Sequence, residues 1–350
     1  MLSLIFFLSS GLFLGWSLGA NNAANFFGTA VATKMVKFRT AAIVCSIFVV
    51  IGAVVSGTGA AQTIGKLGAI NAMPGAFIVA LSAAITSFFM TKAGIPISTS
   101  QAVVGGIIGW NIFSSTPTNM DALYKIAGTW VFSPILTAVI AYLLFHLTKF
   151  ILDRSKIHML TLDAYTRWGL IIIGAFGSYS LGANNIGNVM GVFINASPFI
   201  DISVGGLFIL TGVQQLFLLG GIAIAIGVLT YSRKVMETVG SGIIKLSPIT
   251  ALVIVLATSI TLFLFASQGL SEFLHAHNLP AFPLVPVSAS QAVVGAVMGI
   301  SLAKGGGESM NFKKLGEISL GWLATPIFSA IISYVSLFFM QNVFMQQVVQ

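Results

Sequence analysis

Residues 17–28 read SLGANNAANFFG, and residues 180–191 read SLGANNIGNVMG. Ser, Leu, Gly, Ala, Asn and Asn recur in order, followed in both copies by a third Asn (Asn25, Asn188) and a closing Gly (Gly28, Gly191), at an offset of 163 residues (182 minus 19). A second pair follows downstream. PISTSQAVVG at 96–105 returns as PVSASQAVVG at 286–295, and Trp130 with Pro134 returns as Trp322 with Pro326. Three matches in the same order mark a duplicated unit, so the fold is two related halves.

The chain of 350 residues is 57% hydrophobic and only 7% charged. Its apolar runs are commonly eighteen residues or more and apolar all round, which is the pattern of an all-α polytopic membrane protein. A membrane β-barrel would show segments of about ten residues with alternating polarity. The net charge of +8 gathers at segment ends, where topology accounts for it, so no nucleic-acid partner is expected. The lone Cys45 excludes an internal disulfide and a cysteine metal cluster. The first segment has no basic leader or small-residue cleavage site and is expected to be retained as a helix.

Each half divides into five segments: 1–33, 40–62, 74–91, 96–112 and 121–149, then 164–196, 203–230, 247–268, 285–302 and 314–340. The expected organisation is a first repeat over 1–150, a connecting loop over 151–163 and a second repeat over 164–350. The most basic connections hold Lys34, Lys37 and Arg39; Lys149, Arg154, Lys156 and Arg167; Arg233, Lys234 and Lys245; and Lys304, Lys313 and Lys314. Placing these in the cytoplasm puts both termini outside. An odd number of crossings per half then inverts one repeat relative to the other. A re-entrant hairpin of the third and fourth segments leaves that parity unchanged.

The first segment, as a straight helix, is about 50 Å long against a hydrocarbon core of about 30 Å. Gly19 and Gly182 are therefore expected to permit a break. Asn21, Asn22 and Asn25, with Asn184, Asn185 and Asn188, supply carbonyl oxygens and amide donors for the groups a break releases. One intramembrane Asn serves as well to hold two helices together. Six at matching positions beside glycine point instead to broken helices at a repeat interface.

The second motif has a different logic. Ser98-x-x-Gln101 has the form of a capping box after Pro96, which predicts a helix starting at Thr99. Free backbone N–H groups, the positive helix end and the hydroxyls of Ser98, Thr99 and Ser100 would attract an anion. Ser288, Ser290 and Gln291 build the second such terminus, with Ala289 in place of one hydroxyl. Ordinary capping would use the same residues; duplication and inversion allow both termini to aim at one point. No Lys or Arg falls within these motifs, and two helix ends offer roughly half a positive charge each. A bound dianion would lack about one unit of countercharge. The asparagine oxygens are hard ligands suited to Na⁺, so cotransport of an oxyanion with Na⁺ is expected.

His146, His158, His275 and His277 lie at segment ends and in loops and are expected to be solvated. Glu237 is a candidate for a helix end facing the cavity. The phenylalanines are expected in the core and against lipid. No Walker loop, Ser-His-Asp order, HExxH motif or nucleophile paired with a base is present, so the chain is expected not to be an enzyme and to need no organic cofactor.

The paired GANN and P-x-S-x-S-Q motifs, over nearly the whole chain, resemble the inorganic phosphate transporter (PiT) family of sodium- or proton-coupled carriers. The resemblance implies phosphate bound by Ser98, Thr99, Ser100, Gln101, Ser288, Ser290 and Gln291 with Asn22 and Asn185. It implies Na⁺ beside it at Asn21, Asn22, Asn25, Asn184, Asn185 and Asn188, in a homodimer of the cytoplasmic (inner) membrane. Where the family commonly has Asp after Gly-Ala-Asn, this chain has Asn22 and Asn185. An amide offers N–H donors where a carboxylate accepts the proton of HPO₄²⁻. Sulfate, which carries no proton, is therefore the runner-up substrate, and a passive anion channel is the alternative of another class.

Overall fold

The computed structural model describes residues 2–92, 97–205, 208–242, 247–305 and 312–349. The first half consists of α1 (Leu2–Asn22), α2 (Ala24–Ala32), α3 (Phe38–Ser56), α4 (Thr58–Gly68), α5 (Met73–Lys92), α6 (Thr99–Ser114) and α7 (Met120–Arg154). The second half consists of α8 (Met159–Met190), a 3-10 turn (Gly191–Phe193), strands β1 (Ile202–Val204) and β2 (Phe208–Leu210), α9 (Gly212–Gly242), α10 (Pro248–Ala266), α11 (Gln268–Ala276), α12 (Ala289–Ala303) and α13 (Phe312–Asn342). Among the described residues, seven helical stretches are long and apolar enough to cross a membrane. The chain is a multi-pass integral membrane protein of all-α class.

Local chemistry sets several helix starts. Asn119 accepts from the Ala122 N–H at 3.0 Å at the head of α7. Ser247 accepts from Thr250 at 3.2 Å at the head of α10, with Pro248 in the first turn. At the head of α9, Asp201 Oδ1 accepts the Gly212 N–H at 2.8 Å. That acid closes the β1–β2 hairpin, an antiparallel pair with Ile202 opposite Leu210. The segment expected over 203–230 thus begins as this hairpin, because Asp201 and the pairing consume residues that an apolar run alone assigns to the helix. The connection between halves is also shorter than expected: helix continues through Arg154 and resumes at Met159.

The expected breaks at Gly19 and Gly182 are not found. Helix α1 passes through Gly19 and is interrupted at Ala23, while α8 runs unbroken through Gly182 to Met190. Close approach, and not backbone freedom, is what these glycines supply. A Cβ on Gly19 would stand 2.0 Å from the Ile224 carbonyl oxygen, and one on Gly182 would stand 2.1 Å from that of Val49. Helix α1 therefore packs on α9, and α8 on α3.

The same reciprocity recurs across the fold. A Cβ on Gly227 of α9 would stand 2.0 Å from the Trp16 carbonyl oxygen, and one on Gly52 of α3 would stand 2.0 Å from that of Tyr179. Trp16 and Tyr179 differ by 163 positions, as the Asn motifs do, and Gly52 and Gly227 by 175, as Val49 and Ile224 do. Helix α6 packs on α13, and α12 on α7. Each half thus covers its own helices with the equivalent helices of the other.

The shared core includes the fully buried Phe26, Phe27, Phe193, Phe217 and Phe265. The long helices α7 and α13 line its outside, with Val131, Ile135, Leu323 and Ile327 all more than half exposed. Helices α6 and α12, at 16 and 15 residues, are only about 24 and 22 Å long, short of a hydrocarbon core of about 30 Å. Their first residues lie inside the protein, with the caps Ser98 and Ser288 buried.

Candidate functional site

Helix α6 starts at Thr99 as the motif predicts. Ser98 is its N-cap, with extended backbone (φ −110°, ψ 113°), and its Oγ accepts from the Gln101 N–H at 3.3 Å. Ser288 caps α12 in the same way, accepting from Gln291 N–H at 3.3 Å. Ser98 Oγ also lies 2.9 Å from Ser100 Oγ. Ser98, Ser100, Gln101, Ser288 and Gln291 are all buried; Thr99 and Ser290 are partly so. Pro96 lies outside the described residues.

The capping box is only half closed. In a complete box the Gln side chain would accept from the cap residue's N–H, yet the Oε1 atoms of Gln101 and Gln291 are buried without a hydrogen-bond partner among the described residues. Both glutamines instead line one cavity of about 740 Å³ together with Trp130 and Trp322. Residues 190 apart in the sequence thus line the same cavity, and so do the two tryptophans.

The second-half asparagines are buried, with Asn184, Asn185 and Asn188 at most 2% exposed. Asn184 is a strut: its Oδ1 accepts from the Val287 N–H at 3.1 Å, and its Nδ2 approaches the Leu262 carbonyl at 3.5 Å. It ties α8 to α10 and to the residue just ahead of the α12 cap. Asn188 Nδ2 donates to Asn185 Oδ1 at 3.1 Å. That bond leaves Asn185 Nδ2 and Asn188 Oδ1 buried without partners among the described residues. Buried polar atoms are nearly always hydrogen-bonded, so the donor and the acceptor left over here are what a polar ligand would satisfy.

The first-half copies differ. Asn21, Asn22 and Asn25 are partly exposed, and Asn21 Nδ2 donates at 3.0 Å to Ser17 of its own helix. Equivalent asparagines in the two copies therefore have unequal surroundings. The Ala23 interruption sits between Asn22 and Asn25, where Phe26 and Phe27 N–H both turn to the Ala23 carbonyl at 3.2 and 3.1 Å.

Charged side chains stay away from these motifs. Asp121, Asp153 and Asp163 stand at helix ends, and Asp201 caps α9. Glu237 does not face the interior: it is exposed and pairs with Arg233 at 3.0 Å. His146, His158, His275 and His277 are exposed. Lys245 lies outside the described residues. No group of three or more His, Cys, Asp or Glu that could hold a metal occurs among the described residues. Among the described residues, these motifs offer an anion at the α6 and α12 starts amides, hydroxyls and helix ends.

Sequence gave no sign of the Asn184 strut, because its partners Leu262 and Val287 are recognised by their backbone. The glutamine–tryptophan cavity was signalled only by the duplication of both residues.

Comparison with known proteins agrees with this arrangement. A protein of Methanocaldococcus jannaschii named "Putative phosphate permease" is 29% identical over 324 residues, covering 92% of this chain and 93% of that one. The sulfate permease CysP of Bacillus subtilis is 28% identical over 336 residues, covering 93% and 86%. A solved structure titled "The sodium-dependent phosphate transporter" superposes with a TM-score of 0.75 at 23% identity over 96% of this chain and 99% of that one; it shares the fold. The pattern of the phosphate transporter family spans residues 18–271 and 281–350, so the chain belongs to that family of membrane transporters.

Proposed function

We propose that the chain is a secondary carrier that imports inorganic phosphate with Na⁺ by alternating access. The observation that carries this reading is the pair of buried, serine-capped helix starts at Ser98 and Ser288, set among polar atoms without partners. Thr99, Ser100, Ser290 and the two glutamines complete the anion's donor set, with Asn22 and Asn185 touching it. Each N-terminus contributes roughly half a positive charge, so a dianion still needs about one unit more. Na⁺ supplies it. Asn188 Oδ1, buried and unpartnered, is the kind of hard oxygen that binds Na⁺, and Asn21, Asn22, Asn25, Asn184 and Asn185 complete the amide set. The name of the solved relative supports the sodium assignment.

The reciprocal packing of α1 on α9 and α8 on α3 supports two repeats inverted in the membrane. Inverted halves that exchange equivalent helices can rock between two states of nearly equal energy. By the distribution of basic residues both termini face the outside of a cytoplasmic membrane, and a homodimer is the expected assembly.

Sulfate is the second reading. Asn185 presents a buried N–H without an acceptor, and the sulfate permease relative aligns over most of its length. Uptake of radiolabelled phosphate and sulfate into proteoliposomes, with and without a Na⁺ gradient, tests both. Phosphate should accumulate above equilibrium only with the gradient. Equilibration without accumulation would mean a passive channel; no entry of either anion under any cation gradient would end the transport reading.

A further inference from the structure

The cavity that reaches Gln101 and Gln291 continues away from them as a groove along α7. Its α7 lining recurs at Ala127, Val131, Pro134, Ala138 and Tyr142, the three-and-four spacing of a single helix face. From Ala127 to Leu143 it runs about 24 Å, more than the roughly 15 Å of one leaflet's hydrocarbon. Val294, Met298 and Leu302 of α12 form the facing wall. Val131, Ile135 and Leu143 are 66%, 57% and 61% exposed, so the groove opens sideways on the outer apolar surface. What reaches it in a bilayer is a lipid.

Its far end is basic. Lys304 lies two residues past Leu302, its ammonium 5.7 Å from the Phe145 ring centroid. Lys149 stands two turns past Tyr142 on the same stripe of α7, and both lysines are exposed. Asp153 follows one turn later, but Arg154 and Lys156 beside it keep the end positive. Basic residues at the mouth of an apolar cleft between membrane helices are the recognition pattern for anionic headgroups. A second copy of the chain would bring like charges to the same place.

We propose that this groove is a site for an anionic phospholipid, with an acyl chain along α7 and α12 and the phosphate between Lys149 and Lys304. The chain's end then abuts the two tryptophans and the two glutamines, the third residues of α6 and α12. An occupied groove keeps water from the back of those helix starts.

The test uses the full-length protein in mixed micelles with phosphatidylglycerol or phosphatidylcholine carrying brominated acyl chains, which quench tryptophan on contact. Trp130→Phe and Trp322→Phe identify the component due to the groove. Phosphatidylglycerol should quench that component at about a tenfold lower mole fraction than phosphatidylcholine. Lys149→Ala combined with Lys304→Ala should abolish the difference while anion uptake is retained. Should that double variant not fold, 1 M salt on the unaltered protein should abolish it as well, since headgroup pairing at an exposed mouth is screened. Equal quenching by the two lipids, or a preference that survives both treatments, overturns the proposal. So does an unquenched groove in which Ile135→Cys cross-links two chains, which would give the face to a second copy.

Discussion

Gly105 and Pro326 meet so closely that a Cβ on the glycine would lie 2.1 Å from the proline's carbonyl oxygen, and Gly295 meets Pro134 at the same distance. The prolines lie inside α13 and α7 and cannot donate to the carbonyls of Trp322 and Trp130 one turn earlier. The two short helices press against the long ones at the very turns where those are weakest. A methyl group at either glycine must move a backbone, not a side chain. Gly105→Ala and Gly295→Ala should each destabilise by about 1–3 kcal/mol or more, read as a lowered melting midpoint in detergent. Gly128→Ala, where a Cβ meets nothing within 4 Å, should leave the midpoint unchanged or raise it. Equal behaviour of all three would deny the close packing.

Asn184 and Asn21 occupy equivalent positions in the two motifs yet differ in what they hold. Removing the Asn184 side chain leaves the buried Val287 N–H without an acceptor, a cost of about 1–3 kcal/mol. It also frees the segment that leads into the α12 cap. Asn184→Ala should therefore lower both the melting midpoint and the apparent affinity for the transported anion. Asn21→Ala removes one bond to its own helix and should cost well under half as much stability. Parallel melting curves and uptake titrations of the two variants decide this; similar losses would mean that the halves are functionally equal despite their unequal burial.

The parts legible in the sequence were those decided by local chemistry. Ser98 and Ser288 announce helix starts because a cap acts on a backbone N–H within three residues. The parts that were not legible depend on distant backbone. Gly19 reads equally as a hinge or as a contact, and Ile224, some two hundred residues away, decides for contact. The β1–β2 hairpin was missed because its apolar residues look like the start of α9. The unequal burial of the two Asn motifs was invisible because the asparagines stand at the same positions in both copies.

Ser98 and Ser288 could serve α6 and α12 purely as caps, and substitution chemistry separates that from contact with the anion. Replacing a cap serine by alanine costs about 1 kcal/mol of stability, whereas glycine costs only a few tenths. Ser98→Gly should then leave the melting midpoint nearly unaltered and still weaken anion uptake several-fold, because the hydroxyl is gone. Ser98→Ala with Ser290→Ala should weaken it further in protein that remains folded. An unchanged KM for uptake in Ser98→Gly would reduce Ser98 to a cap.

The amide at Asn185 bears on which oxyanion is carried. Its Nδ2 is buried without an acceptor, and its Oδ1 already accepts from Asn188 at 3.1 Å. A carboxylate there would keep the Asn188 bond and turn the unsatisfied donor into an acceptor, which the O–H of HPO₄²⁻ can use and sulfate cannot. Hydrogen bonds to charged groups contribute about 1.5–3 kcal/mol. Asn185→Asp should consequently raise uptake of phosphate relative to sulfate by about tenfold or more, and Asn22→Asp, at the more exposed copy, should act in the same direction with a smaller effect. Competition between the two labelled anions in proteoliposomes measures the ratio directly. If both variants leave it where it was, these two amides do not touch the anion, and discrimination rests with the hydroxyls of α6 and α12.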